Sequence, residues 1–129
     1  MSLTIQIQPP VNGSQQVILA GRLDTQSYAQ LDERLAPLLQ APPQAYVLVL
    51  ELSGLDYISS AGIRSIFKAR KALSPRGGKV LIVNPQPQIQ KVFDLVKAVP
   101  MNEIFVSTAE ADAYLDTMQR KVLQGDDDD

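Results

Sequence analysis

Two adjacent serines, Ser59 and Ser60, follow an apolar stretch and open a segment with helical spacing. The run Leu50-Glu51-Leu52-Ser53-Gly54-Leu55-Asp56-Tyr57-Ile58-Ser59-Ser60-Ala61-Gly62-Ile63-Arg64 reads as strand, short turn and helix start. A hydroxyl in such a place sits among backbone N–H groups that lack intrahelical partners, at the positive end of a helix dipole. The chemistry it suits is that of a phosphate, either bound or attached to the serine. The plainer reading of the same pair is a helix cap, and spacing alone favours the cap.

Composition narrows the rest. The 129 residues contain no histidine, cysteine or tryptophan. Without histidine a Ser-His-Asp hydrolase is excluded, and the commonest transition-metal ligand is missing. Without cysteine there are no disulfides, thiol catalysis or thiolate metal sites. A net charge of −2 and few aromatic residues speak against a nucleic-acid binder. A lysine from the helix after Ser60 as the base of a Ser-Lys pair has no convincing candidate, and there is no glycine-rich phosphate loop. No cofactor is expected. No apolar run is long enough to cross a bilayer, so a soluble, cytoplasmic protein is expected.

The elements that must position the serines follow from periodicity. A hydrophobic content of 45% supports one core. Thr4–Gln8 alternates apolar and polar residues, and Asn12-Gly13 is a hairpin turn signal, so the first two strands are expected to pair antiparallel. Tyr28, Leu31, Leu35 and Leu38 recur at helical spacing, with Asp24, Thr25 or Ser27 as cap and Pro37 expected to kink or end the helix. Ser27 with Gln30 has capping-box spacing. Tyr46–Leu52 is almost continuously apolar, as in a central strand covered on both faces. After Ser60, Ile63, Ile66, Phe67 and Leu73 form the expected buried stripe, and Arg64, Lys68 and Lys71 the opposite one. Lys79–Val83 reads as a parallel strand. A helix packed through Ile89, Val92, Phe93 and Val96 follows, then a short edge strand at Ile104–Val106. A last helix, capped by Ser107 or Thr108, packs through Ala111, Leu115 and Met118. Residues 1–120 thus form one α/β domain, and residues 121–129 an acidic tail expected to be disordered.

At Ser59-Ser60-Ala61-Gly62-Ile63 the chain resembles the STAS family, the bacterial anti-sigma factor antagonist domains. Gly21-Arg22-Leu23-Asp24 resembles the family's Gly-x-Leu-Asp stretch, and Leu50-Glu51-Leu52-Ser53 the end of its central strand. The resemblance covers roughly residues 1–120 and implies a four- to five-stranded mixed sheet with about four helices. Ser60 takes the place of the family's phosphorylated serine, and Ser59 that of the aspartate before it. Asp56 or Asp24 would then supply the local acidity, and Glu51 stands where an aspartate is usual.

The resemblance implies a non-enzymatic binding module. In its unphosphorylated form it would sequester an anti-sigma factor that is also a serine kinase. Phosphorylation at Ser60 would block that complex, and a serine phosphatase would restore it. Asp24, Ser59, Ser60, Gly62, Ile63, Arg64 and Lys68 are the expected partner-binding residues. The expected state is a monomer or weak dimer with no nucleic acid and no membrane insertion. The alternative is an unmodified adaptor subunit of a transporter or signalling scaffold, with Ser60 a plain cap and the basic stripe a solvated face.

Overall fold

The computed structural model describes residues 2–40, 46–98 and 107–125. Strands β1 (Leu3–Ile7) and β2 (Ser14–Leu23) form the antiparallel hairpin expected from Asn12-Gly13. Both turn residues have positive φ, 51° and 78°, which asparagine and glycine tolerate. Strand β3 (Val47–Ile58) pairs parallel to β2 and strand β4 (Lys79–Val83) parallel to β3, giving one mixed sheet in the order β1-β2-β3-β4. Helix α1 (Tyr28–Gln40) joins β2 to β3, helix α2 (Ser60–Leu73) joins β3 to β4, and helix α3 (Pro87–Ala98) follows β4. Helix α4 (Thr108–Leu123) closes the described chain. Among the described residues this α/β domain has four strands and four α-helices, within the expected four- to five-stranded mixed sheet with about four helices. The strand expected at Ile104–Val106 and the aspartates 126–129 lie outside the described residues.

Strand β3 departs from the expectation. It does not end in a turn after Leu52 but continues to Ile58. Its pairing with β2 slips twice, between Ile18/Ala20 and between Gly21/Arg22. Each slip adds a residue to β3, as a bulge does. The slips carry Leu52, Leu55 and Ile58, spaced by three, all into the core with no exposed surface. Nor, among the described residues, is the Val47–Leu52 stretch equally covered on both faces. Leu48, Leu50 and Leu52 are buried, whereas Val47, Val49 and Glu51, on the other face of the pleat, are only half-buried. An apolar run therefore records strand propensity here more than burial.

Helix α1 also differs. It passes through Pro37 and reaches Gln40. Asp24 and Ser27 cap it reciprocally: Asp24 Oδ1 accepts from Gln26 N at 3.0 Å, and Ser27 Oγ accepts from Asp24 N at 2.9 Å. The Ser27–Gln30 box does not form, because Gln30 Nε2 donates to Leu3 O at 3.1 Å. Tyr28 and Phe67, both expected in the core, are 38% exposed. The positions inside α2 fall to Ile63, Ile66, Ala69 and Leu73, which lie with Leu31, Leu35, Leu48 and Leu50 in one core. Among the described residues no helix is long and apolar enough to cross a membrane.

Candidate functional site

The end of β3 hands the chain to α2 at Ser59, which is extended at φ −100° and ψ 176°. Its Oγ accepts from Gly62 N at 3.4 Å and its carbonyl from Ile63 N at 2.9 Å, so Ser59 is the N-cap. Ser59 N donates to Leu23 O at 2.9 Å and ties the cap to the end of β2. Gly62 lies against the same strand. A Cβ there would come within 2.7 Å of Leu23 Cγ and 2.9 Å of Leu23 O. Glycine is thus required by packing, and it fixes how closely the start of α2 approaches β2.

Ser60 is the first residue of α2 and has no exposed surface. Its hydroxyl donates to Asp112 Oδ1 at 2.7 Å, and its backbone N–H donates to the same oxygen at 2.9 Å. A carboxylate therefore already fills the anion seat at the N-terminus of α2. Asp112 belongs to α4, and two turns further along that helix Gln119 makes a second attachment. Gln119 Oε1 accepts from Ile58 N at 3.1 Å, and its Nε2 donates to Ile58 O at 2.8 Å. The last helix is thereby pinned to both ends of the Ile58-Ser59-Ser60 turn.

Neither Asp112 nor Gln119 was among the residues expected from sequence. The signal was a polar pair flanking the apolar stripe of the last helix, at i and i+7 around the fully buried Leu115. The local acidity expected from Asp56 or Asp24 comes instead from Asp112. Asp56 is exposed, with Oδ1 accepting from Gln86 Nε2 at 3.3 Å. Asp24 caps α1, and its Oδ2 lies 3.4 Å from Arg22 Nε. The Arg22 guanidinium sits 4.0 Å over the Tyr57 ring. Burial, foremost, and then the negative charges of Asp116 and Asp112 push the Tyr57 phenol above its ordinary range. Asp24, Asp112 and Asp116 thus share one neighbourhood with Arg22 and Tyr57.

The remaining expected residues divide by depth. Ile63 is 1% exposed and serves the core, so it is not a surface contact. Arg64 and Lys68 are exposed and line a shallow cleft of about 470 Å³ with Thr25, Tyr28 and Asp32. Lys68 Nζ stands 3.7 Å from Asp32 Oδ2 and links α2 to α1. Glu51 accepts from Asn84 Nδ2 at 2.8 Å and from Ser53 Oγ at 2.9 Å, and these bonds, that of Asn84 foremost, hold its carboxyl below the usual carboxylate range.

This turn and sheet match a known family. The STAS domain model fits residues 6–111. The chain belongs to the STAS domain family. Its relative BtrV of Bordetella bronchiseptica, named as a candidate anti-sigma factor antagonist, is 31% identical over 85 residues, covering 66% of this chain and 72% of BtrV. The solved structure of the unphosphorylated anti-sigma factor antagonist SpoIIAA superposes with a TM-score of 0.59 at 20% identity, covering 70% of this chain and 82% of SpoIIAA. An anti-sigma factor antagonist from Mycobacterium paratuberculosis gives 0.58 at 22% identity, covering 77% and 84%. These structural likenesses establish the fold of the STAS domain. Asp112 and Gln119 lie beyond the last residue matched by the family model.

Proposed function

We propose that this STAS domain is an anti-sigma factor antagonist whose partner binding is switched by phosphorylation at Ser60. The unphosphorylated form sequesters an anti-sigma factor that doubles as a serine kinase. The kinase moves the γ-phosphoryl group of ATP onto Ser60 Oγ, and a serine phosphatase removes it. The setting is the cytoplasm, and the protein acts as a monomer or weak dimer.

The observation that carries the reading is the position of Ser60. It is a hydroxyl at the N-terminus of α2, held by a capped and glycine-packed turn, in a chain related to BtrV. SpoIIAA has itself been solved in a phosphorylated form. A phosphate brings roughly −1.5 to −2 charges at neutral pH. Placed at a protein interface without a cationic partner, that charge abolishes an ordinary complex. The partner face we assign runs from Asp24 across the Ser59-Ser60 turn to Arg64 and Lys68, with Gly62 and Ile63 setting its backbone from beneath.

One observation favours the second reading, an unmodified adaptor: the Ser60 hydroxyl is sealed under Asp112. Intact-mass analysis decides between them. Wild type and Ser60→Ala are incubated with ATP and the histidine-kinase-like serine kinases of the same genome. One added phosphate on wild type alone is the expected result. No phosphate with any of them would leave the adaptor reading standing.

A further inference from the structure

The contact between Ser60 and Asp112 has consequences for any kinase that acts at this serine. Ser60 Oγ is fully buried, so an enzyme cannot align a nucleotide with it while α4 is in place. The contact consists of two hydrogen bonds donated by Ser60 to one carboxylate oxygen. Such charge-assisted bonds are strong while the hydroxyl keeps its hydrogen. Phosphorylation removes that hydrogen: the Oγ–P bond forms, the bond from phosphorus to the leaving oxygen breaks so that ADP departs, and the hydroxyl proton passes to solvent. A dianionic group would then stand where Oγ lies 2.7 Å from the Asp112 carboxylate. Attraction becomes like-charge repulsion in a partly buried contact, where solvent screens charge less than at an open surface. The other charges near Tyr57, those of Asp24 and Asp116, are also negative, with Arg22 the cation among them.

We infer that α4 is a lid over Ser60, latched by Asp112, which must open before phosphorylation and is held open by the phosphate afterwards. This rests on the reading that Ser60 is the phospho-acceptor. Gln119 serves as the second, uncharged fastening through Ile58. The lid gives the switch two outputs from one event. A charge appears on the partner face, and the helix face carrying Asp112, Leu115 and Gln119 becomes available. The latch also makes phosphorylation slow by default, because only the open fraction of the population is a substrate.

The test separates the lid from the kinase. Amide hydrogen exchange across residues 107–123 is followed by mass spectrometry in wild type, Ser60→Glu, Ser60→Gln, Ser60→Glu with Asp112→Asn, and Asp112→Ala. In Ser60→Glu, exchange in α4 should rise roughly tenfold or more, the size of one lost charge-assisted hydrogen bond. It should rise less in the isosteric Ser60→Gln, and Asp112→Asn should restore protection to the Glu variant. Equal opening by Glu and Gln would make the effect steric and overturn the latch. Should Ser60→Glu fail to fold, Asp112→Ala decides: α4 loses protection while β2 and β3 keep theirs, and unchanged protection in α4 overturns the lid. None of these measurements uses a kinase. Initial phosphorylation of Asp112→Ala should in turn be roughly tenfold faster than that of wild type. If neither protein is labelled while α4 opens as expected, the lid stands and the assignment of Ser60 as phospho-acceptor falls.

Discussion

Gly62 and Ser60 divide the work of the turn between packing and charge. The missing side chain at Gly62 lets α2 settle on the end of β2, with Leu23 and Ile58 as the immediate obstacles. Gly62→Ala must push back Leu23, backbone oxygen included. A loss of about 1–3 kcal/mol is expected, the usual cost of overpacking a tight site. Urea unfolding followed by circular dichroism measures it. A loss of less than about 0.5 kcal/mol would mean that the helix shifts freely, and the close approach would then have no structural role. Ser60 sits on the helix that this contact places, so the same variant is expected to disturb the Asp112 contact.

Helix α4 is an element whose role its own sequence pattern understates. Its apolar stripe through Ala111, Leu115 and Met118 explains why it packs, but not where it docks. Docking is set by Gln119, whose amide satisfies both the N–H and the C=O of Ile58 at the end of β3. Buried backbone groups left without partners cost roughly 1–3 kcal/mol each. Gln119→Leu keeps the volume but removes both bonds. With two groups left unpartnered it should destabilise the domain by roughly 2–6 kcal/mol, and amide exchange should show the loss concentrated at Ile58 and in α4. Uniform weakening of all four strands would show instead that the contact belongs to the cooperative core.

The domain as a unit carries a distinct alkaline sensitivity. Tyr46 leads into β3, and its hydroxyl donates to Gln15 Oε1 on β2 at 2.5 Å. Both residues are buried, and burial raises the Tyr46 phenol above its ordinary value of 10.0. The folded state therefore holds this proton when the unfolded chain has lost it. The stability it confers is complete below about pH 10 and falls as pH rises further. Tyr46→Phe should destabilise by about 1 kcal/mol at pH 8, one net hydrogen bond, and the gap to wild type should narrow above pH 10. Urea unfolding of both proteins from pH 8 to 11 checks this, and a constant gap would rule out Tyr46 as the titrating group.

Much of the architecture was legible along the chain because helices, strands and turns are local. The Asn12-Gly13 hairpin, the stripe of Ile63 and Ile66 and the Ser107 cap of α4 all appear as expected. So does the serine turn, because a cap, a following glycine and an apolar face lie within five residues. The rest depended on partners far away in the chain. Asp112 meets Ser60 across 52 positions and Gln119 meets Ile58 across 61. A polar pair flanking an apolar stripe does not say which distant residues it meets, and the bulges that aim Leu52, Leu55 and Ile58 inward depend on register with β2. Residue types and spacing thus supplied the elements and the reactive hydroxyl. Whether that hydroxyl faces solvent or a carboxylate was settled by packing, since burial and charge are properties of the assembled chain.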